Sequence, residues 1–136
     1  MLEVYIDGAS AGDPGPSGAG IYIKSSAIQQ RHSVPLGTMS NHEAEYWALI
    51  KALEICLELN DSVISVRTDS KLIEQAVEKR WAKNNRFVPL LEKALLLADQ
   101  FDLFFIKWIP SKQNGAADEL AKQAVQQCKE EMRENE

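Results

Sequence analysis

Three apolar, β-type runs precede any helical periodicity in this chain, and the remainder alternates between helix and strand. Leu2 to Asp7 reads as a strand with Leu2, Val4 and Ile6 on one face. Ala19 to Lys24 and Ile28 to Leu36 flank "KSSA" in the manner of a hairpin, so the first three strands should be neighbours. From Asn41 to Leu59 the apolar spacing turns helical, with Ser40 or Asn41 as the cap. Val63 to Thr68 is a β-branched run that passes into a second helix through "TDSKLIEQAVEKR". A looser helix is expected over Val88 to Gln100 and a strand over Leu103 to Ile109, stopped by Pro110. A last amphipathic helix should cover Ala116 to about Lys129. The order β-β-β-α-β-α-α-β-α predicts an α/β fold, a mixed sheet with helices on its faces. Residues 1–129 should form a single domain, and the charged tail over 130–136 should fray.

The stretch "YIDGASAGDPGPSGAG", Tyr5 to Gly20, resembles at first glance a phosphate-binding loop. Such loops open a helix and carry a Lys followed by Ser or Thr, or the G-x-G-x-x-G spacing. Here "IYIK" follows, a strand, and neither spacing is present. The glycines and prolines read as a strand-to-strand turn. That leaves unexplained Asp7, a lone carboxylate where open α/β sheets place their sites.

The bulk properties exclude several classes. No apolar run in the 136 residues is long enough to span a bilayer, so no membrane association is expected. "MLEVYIDG" lacks the basic and apolar regions of an export signal, which points to the cytoplasm. Cys56 and Cys128 fall at apolar helical positions and suit reduced core thiols. Nothing in the chain requires an obligate protein partner. A net charge of −5 argues against a nucleic-acid partner unless cations intervene.

Four acids stand where structural roles explain them only one at a time. On the Asn41–Leu59 helix, Glu43, Lys51, Glu54 and Glu58 share one side, while Glu45 falls among Ala48, Leu49, Ala52 and Cys56. A carboxylate on that face must be protonated, paired or bound to a cation, or else reach solvent past the helix start. Asp69 ends a strand as Asp7 does, although capping the next helix would also account for it. Asp118 opens the last helix beside the stripe Ala117, Ala121, Ala124, where an acid also favours the helix dipole. In one α/β layer the four can converge at one end of the sheet. Clustered carboxylates with room for water suit Mg²⁺ or Mn²⁺, and a two-metal clamp on phosphoryl transfer suits such a cluster.

The segments "IDGAS…GDPGPSGAG", "SNHEAEYWALIKALE", "TDSKLI" and "WIPSKQNGAADELAKQA", in this order, resemble type 1 ribonuclease H, and more closely its compact reverse-transcriptase-like branch. The resemblance runs from Val4 to about Ala124. It implies a central five-stranded mixed sheet flanked by helices, and cleavage of the RNA strand of RNA/DNA hybrids to 5′-phosphate and 3′-hydroxyl ends. It also implies two divalent ions, Mg²⁺ or Mn²⁺, held by Asp7, Glu45, Asp69 and Asp118, with Asp7 bridging both. Gly8, Ala9, Ser10 and Asn41 would approach the wide minor groove where 2′-hydroxyls distinguish RNA from DNA. Ser70, Trp81, Lys83, Lys112 and Asn114 complete the implied substrate contacts. Trp81 lies among Lys79, Arg80, Lys83 and Arg86, a segment suited to the DNA backbone, or equally a solvated face with Trp81 packed on the core.

The chain departs from that pattern in one loop. Many members carry a His before the last acid; here the stretch is "IPSKQN", and the two histidines are His32 and His42. The basic handle helix of some bacterial members is also missing. Lower turnover, weaker binding or a preference for Mn²⁺ follows, and the competing expectation is a nucleic-acid-binding module that has lost turnover.

Overall fold

Five strands, β1 (Leu2–Ser10), β2 (Gly15–Lys24), β3 (Gln29–Met39), β4 (Val63–Thr68) and β5 (Leu103–Trp108), form one sheet in the order β3-β2-β1-β4-β5. The computed structural model describes residues 1–135. β1, β2 and β3 run antiparallel as two consecutive hairpins, whereas β1–β4 and β4–β5 are parallel. The helices are α1 (Asn41–Glu58), α2 (Lys71–Lys79), α3 (Val88–Ala98) and α4 (Gly115–Glu134). Order, sheet and flanking helices match the expectation from the sequence. Among the described residues no helix is long and apolar enough to cross a membrane.

The alternation of β1 decides which helix lies on which face. Leu2, Val4 and Ile6 enter a core shared with Leu49 and Leu53 of α1, Ile73 of α2 and Leu91 of α3. Asp7 points to the other face, across from Gly20 in β2. A side chain at Gly20 would collide with the main chain of Ala117 and Ala121 in α4. Only a bare backbone therefore lets α4 sit directly on the sheet, with Ala117, Ala121 and Ala124 buried in the contact. Cys56 and Cys128 are both free and buried, and burial pushes the Cys56 thiol up to about 12.

Several boundaries differ from the sequence reading: β2 begins at Gly15 and not at Ala19, and β3 runs on to Met39 and not to Leu36. β1 does not stop at Asp7: pairing with β2 continues to Ser10 opposite Ser17, so Gly8–Ser10 are strand and the turn is reduced to Ala11–Pro14. The ladder with β2 satisfies the backbone there, overriding a turn-like composition. The last helix does not end near Lys129. α4 continues to Glu134, its apolar stripe carried forward by Cys128 and Met132, with Thr38 of β3 beside the Met132 sulfur.

Replacing Gly20 by Ala should cost at least about 2 kcal/mol of stability, since helix backbone and not a flexible side chain must give way. Urea unfolding of Gly20→Ala against wild type measures it.

Candidate active site

Ile6 and Thr68 are the last residues paired between β1 and β4, so Asp7 and Asp69 follow at the point where two parallel neighbours separate. Such a sheet end is where open α/β folds accommodate ligands. α1 supplies the third acid. Its start is fixed by a capping box, in which the Glu43 amide donates to the Ser40 hydroxyl and the Ser40 amide to the Glu43 carboxylate. Glu45 then lies one turn into the helix. Its approach to β1 depends on Gly8, where any side chain would strike the Ala44 carbonyl. Asp118 comes from the first turn of α4.

Hydrogen bonds set each acid's place. Asn41 Nδ2 donates to Glu45 Oε1 at 2.8 Å, the Ser70 hydroxyl donates to Glu45 Oε2, and His42 Nδ1 lies 3.5 Å from Oε1. Lys122 Nζ is 3.0 Å from Asp118 Oδ2. Asn114 Nδ2 donates to the Ile6 carbonyl at 2.8 Å, tying the start of α4 to the peptide just before Asp7. Its Oδ1 is buried without a partner.

Electrostatics shows how closely the acids converge. The Asp7 carboxyl is pushed up from 3.8 to about 7 by burial first, then by the charges of Asp69 and Asp118, a hydrogen bond with Asp118, and the charge of Glu45. Burial also raises Glu45, against the lowering effects of Ser70 and His42. Among the described residues no three Asp, Glu, His or Cys side chains form a ready-made metal cage. The acids stand in an open arrangement instead: they are near enough to feel one another's charge, yet not gathered at ligation distance. That openness fits Mg²⁺ or Mn²⁺, which retain waters and take a few carboxylates while substrate phosphate completes the shell. An all-oxygen donor set whose central carboxyl resists ionisation fits a hard divalent cation.

The other sequence-predicted contacts divide into exposed and enclosed residues. Asn41 and Lys112 are exposed, and Ala9 is half-buried. Ser70 caps α2 through the Ile73 amide while holding Glu45. Trp81 is 61% exposed, so it does not pack on the core, and with Lys83 it lines a groove of about 870 Å³ shared with His42, Tyr46, Leu72 and Phe87. Gly8 is buried against α1, and the Ser10 hydroxyl is engaged by the Met39 and Gly12 carbonyls at 2.9 and 2.6 Å. Asn114 is 1% exposed and turned inward after the 3₁₀ turn Ser111–Gln113, where it reaches Ile6. The sequence reading missed Trp108, which donates from Nε1 to the Asp69 carbonyl at 3.1 Å. The only signal was an aromatic residue closing the last strand.

The chain matches the family model described as reverse transcriptase-like over residues 6–124. It is 46% identical to EbsB of Enterococcus faecalis, over 93% of this chain and 95% of that protein. Mycobacterial relatives at 33% identity are longer, and the chain spans 35% of their length. The crystal structure of ribonuclease H1 from the archaeon Halobacterium salinarum superposes with a TM-score of 0.87 at 33% identity, covering 93% of this chain and 98% of that one. LC11-RNase H1, isolated from compost and solved in complex with an RNA/DNA hybrid, gives 0.85 at 28% identity over 93% of this chain and 98% of that one.

An acid whose folded pKa lies above its unfolded value contributes nothing against folding below the unfolded pKa, and it destabilises progressively as pH rises toward the folded one. For Asp7 that window runs from 3.8 to about 7. In chelator, Asp7→Asn should therefore melt at least about 4 °C above wild type near pH 8 and together with it near pH 4. Thermal melts at the two pH values, with and without Mg²⁺, check this; Mg²⁺ should narrow the gap.

Proposed function

The chain belongs to the type 1 ribonuclease H family, in its reverse transcriptase-like branch, and on that premise we propose that it hydrolyses the RNA strand of RNA/DNA hybrids. The observation that carries the reading is the mutual charge at one sheet end, where Asp7 is held up to about 7 by burial and by Asp69, Asp118 and Glu45. The hybrid-bound structure of LC11-RNase H1 supports the choice of duplex. In this reading the cut leaves 5′-phosphate and 3′-hydroxyl ends, and the protein works in the cytoplasm, where two free buried thiols stay reduced.

Asp7, Glu45, Asp69 and Asp118 would hold two Mg²⁺ or Mn²⁺ ions. Bound there, the ions supply Lewis-acid polarisation of the scissile phosphate and neutralise the charge that develops on it. This also answers the net charge of −5, because cations meet the phosphate where the protein offers carboxylates. The protein's own contribution is placement. Asn41 and Ser70 orient the two Glu45 oxygens toward fixed directions, and such supports keep ligands in working geometry. Lys122 offsets part of the charge on Asp118. The groove with Trp81 and Lys83 on its walls offers a stacking surface and a cation to the backbone of the DNA strand. Ala9 and Asn41 stand beside the acids, where a minor groove carrying 2′-hydroxyls would lie, while buried Gly8 lets α1 approach the strand that carries Asp7.

No imidazole stands in the Ser111–Gln113 turn, whose middle residue is the exposed Lys112. The second reading, a binding module without turnover, rests on that turn.

A labelled RNA/DNA hybrid should be cut by wild type in Mg²⁺ or Mn²⁺, and Asp69→Asn should lower the rate by at least about 100-fold. Cleavage indifferent to that substitution would remove the mechanism, and hybrid binding without cleavage in either metal would establish the second reading.

A further inference from the structure

The strand-to-helix turn that presents Asp69 is saturated with hydrogen bonds. The Ile109 amide donates to the Thr68 carbonyl at 2.8 Å, and the Ser70 amide to Thr68 Oγ1 at 3.1 Å. Ser70 Oγ accepts from the Ile73 amide at 3.2 Å and donates to Glu45, while the Ser70 carbonyl accepts from the Glu74 amide at 3.1 Å. The Asp69 carbonyl is taken by Trp108 Nε1 at 3.1 Å. Among the described residues, none of these bonds goes to the Asp69 carboxylate. The point and direction at which its side chain leaves the backbone are therefore set by the main chain that these bonds hold.

Of those partners, Trp108 is the one that reaches Asp69 itself by a side chain. It is the last residue of β5 and lies in register with Thr68, the last residue of β4, so its indole extends one residue beyond the end of the ladder. It is also 40% exposed, with the Lys71 ammonium 4.9 Å from its ring centroid. A large aromatic left this open contributes little to core burial. Its polar tip is nevertheless used on the peptide that carries the acid.

We propose that Trp108 is a positioning residue for the phosphodiester hydrolysis: its indole N–H fixes the Asp69 peptide and thereby aims the Asp69 carboxylate at the divalent-ion site. This rests on the ribonuclease H reading of that site. Asn114 makes the corresponding bond for Asp7, through the Ile6 carbonyl, from a buried position. Trp108 is the partner that can be altered without opening the core. An exposed carbonyl that loses its donor turns to water at little cost.

The experiment uses the full chain with Trp108→Phe, which keeps an aromatic ring and deletes the donor. Three quantities are read: Mn²⁺ affinity of the hybrid-free protein by electron paramagnetic resonance, kcat and KM on a labelled hybrid, and the melting temperature. The expected result is a loss of at least about tenfold in both Mn²⁺ affinity and kcat, with KM within about twofold and melting within about 2 °C of wild type. Amide resonances should shift at residues 68–71 and stay in place across the core. Mn²⁺ affinity and kcat equal to wild type would overturn the proposal. So would losses accompanied by a lowered melting temperature and shifts spread through the core, which mark a packing role. If wild type fails to cut hybrid while Trp108→Phe still weakens Mn²⁺ binding, the positioning role stands and the ribonuclease reading falls.

Discussion

The structure depends on holding negative charges near one another at the end of a sheet. Asp7 stands at the centre, half-buried and surrounded by the fields of Asp69, Asp118 and Glu45, and its carboxyl is driven up to about 7 as a result. Each unit of such a shift is about 1.4 kcal/mol of unfavourable interaction with the ionised form. A chain selected for stability alone would not place four acids there. The repulsion is sustained by the core beneath them, where Ile6, Leu49, Leu53, Ile64 and Ile73 are fully buried.

Close backbone approach is what lets four separate elements reach that point. Gly8 brings β1 against the Ala44 peptide of α1, and Gly20 brings β2 against the Ala117 peptide of α4. The two helices lie on opposite faces and meet the sheet end from either side. Supports then stand beside each acid: Asn41 and Ser70 on Glu45, Trp108 on the Asp69 peptide, Asn114 on the peptide before Asp7, and Lys122 on Asp118. Ser70 links two of these supports, because it caps α2 and holds Glu45 with one hydroxyl.

Much of this was legible in the sequence because local signals agreed with the fold. Val63–Thr68 has the bounds its β-branched run predicts, and Ser40 caps α1 as its position before the helical pattern suggested. Asp69 could be placed just past the end of a strand from periodicity alone, and Glu45 and Asp118 from helical phase, whereas the strand expected to end at Asp7 runs on to Ser10. Pairing partners were not legible. Gly8–Ser10 looked like turn because composition does not report the β2 ladder that makes them strand, and α4 outran its expected end because Thr38 and Met132 meet only in three dimensions. The roles of Asn114 and Trp108 were hidden for the same reason. Both act through main-chain carbonyls far along the chain, and no spacing rule encodes such contacts.

The central claim is that these four carboxylates form one cation site and not four separate structural acids. Electron paramagnetic resonance of Mn²⁺ titrated into wild type and into Asp7→Asn, Glu45→Gln, Asp69→Asn and Asp118→Asn, one variant at a time and without nucleic acid, tests it directly. The account predicts tight binding by wild type, weaker binding in all four variants and the greatest loss in Asp7→Asn. Mn²⁺ binding that survives Asp7→Asn unchanged would contradict it.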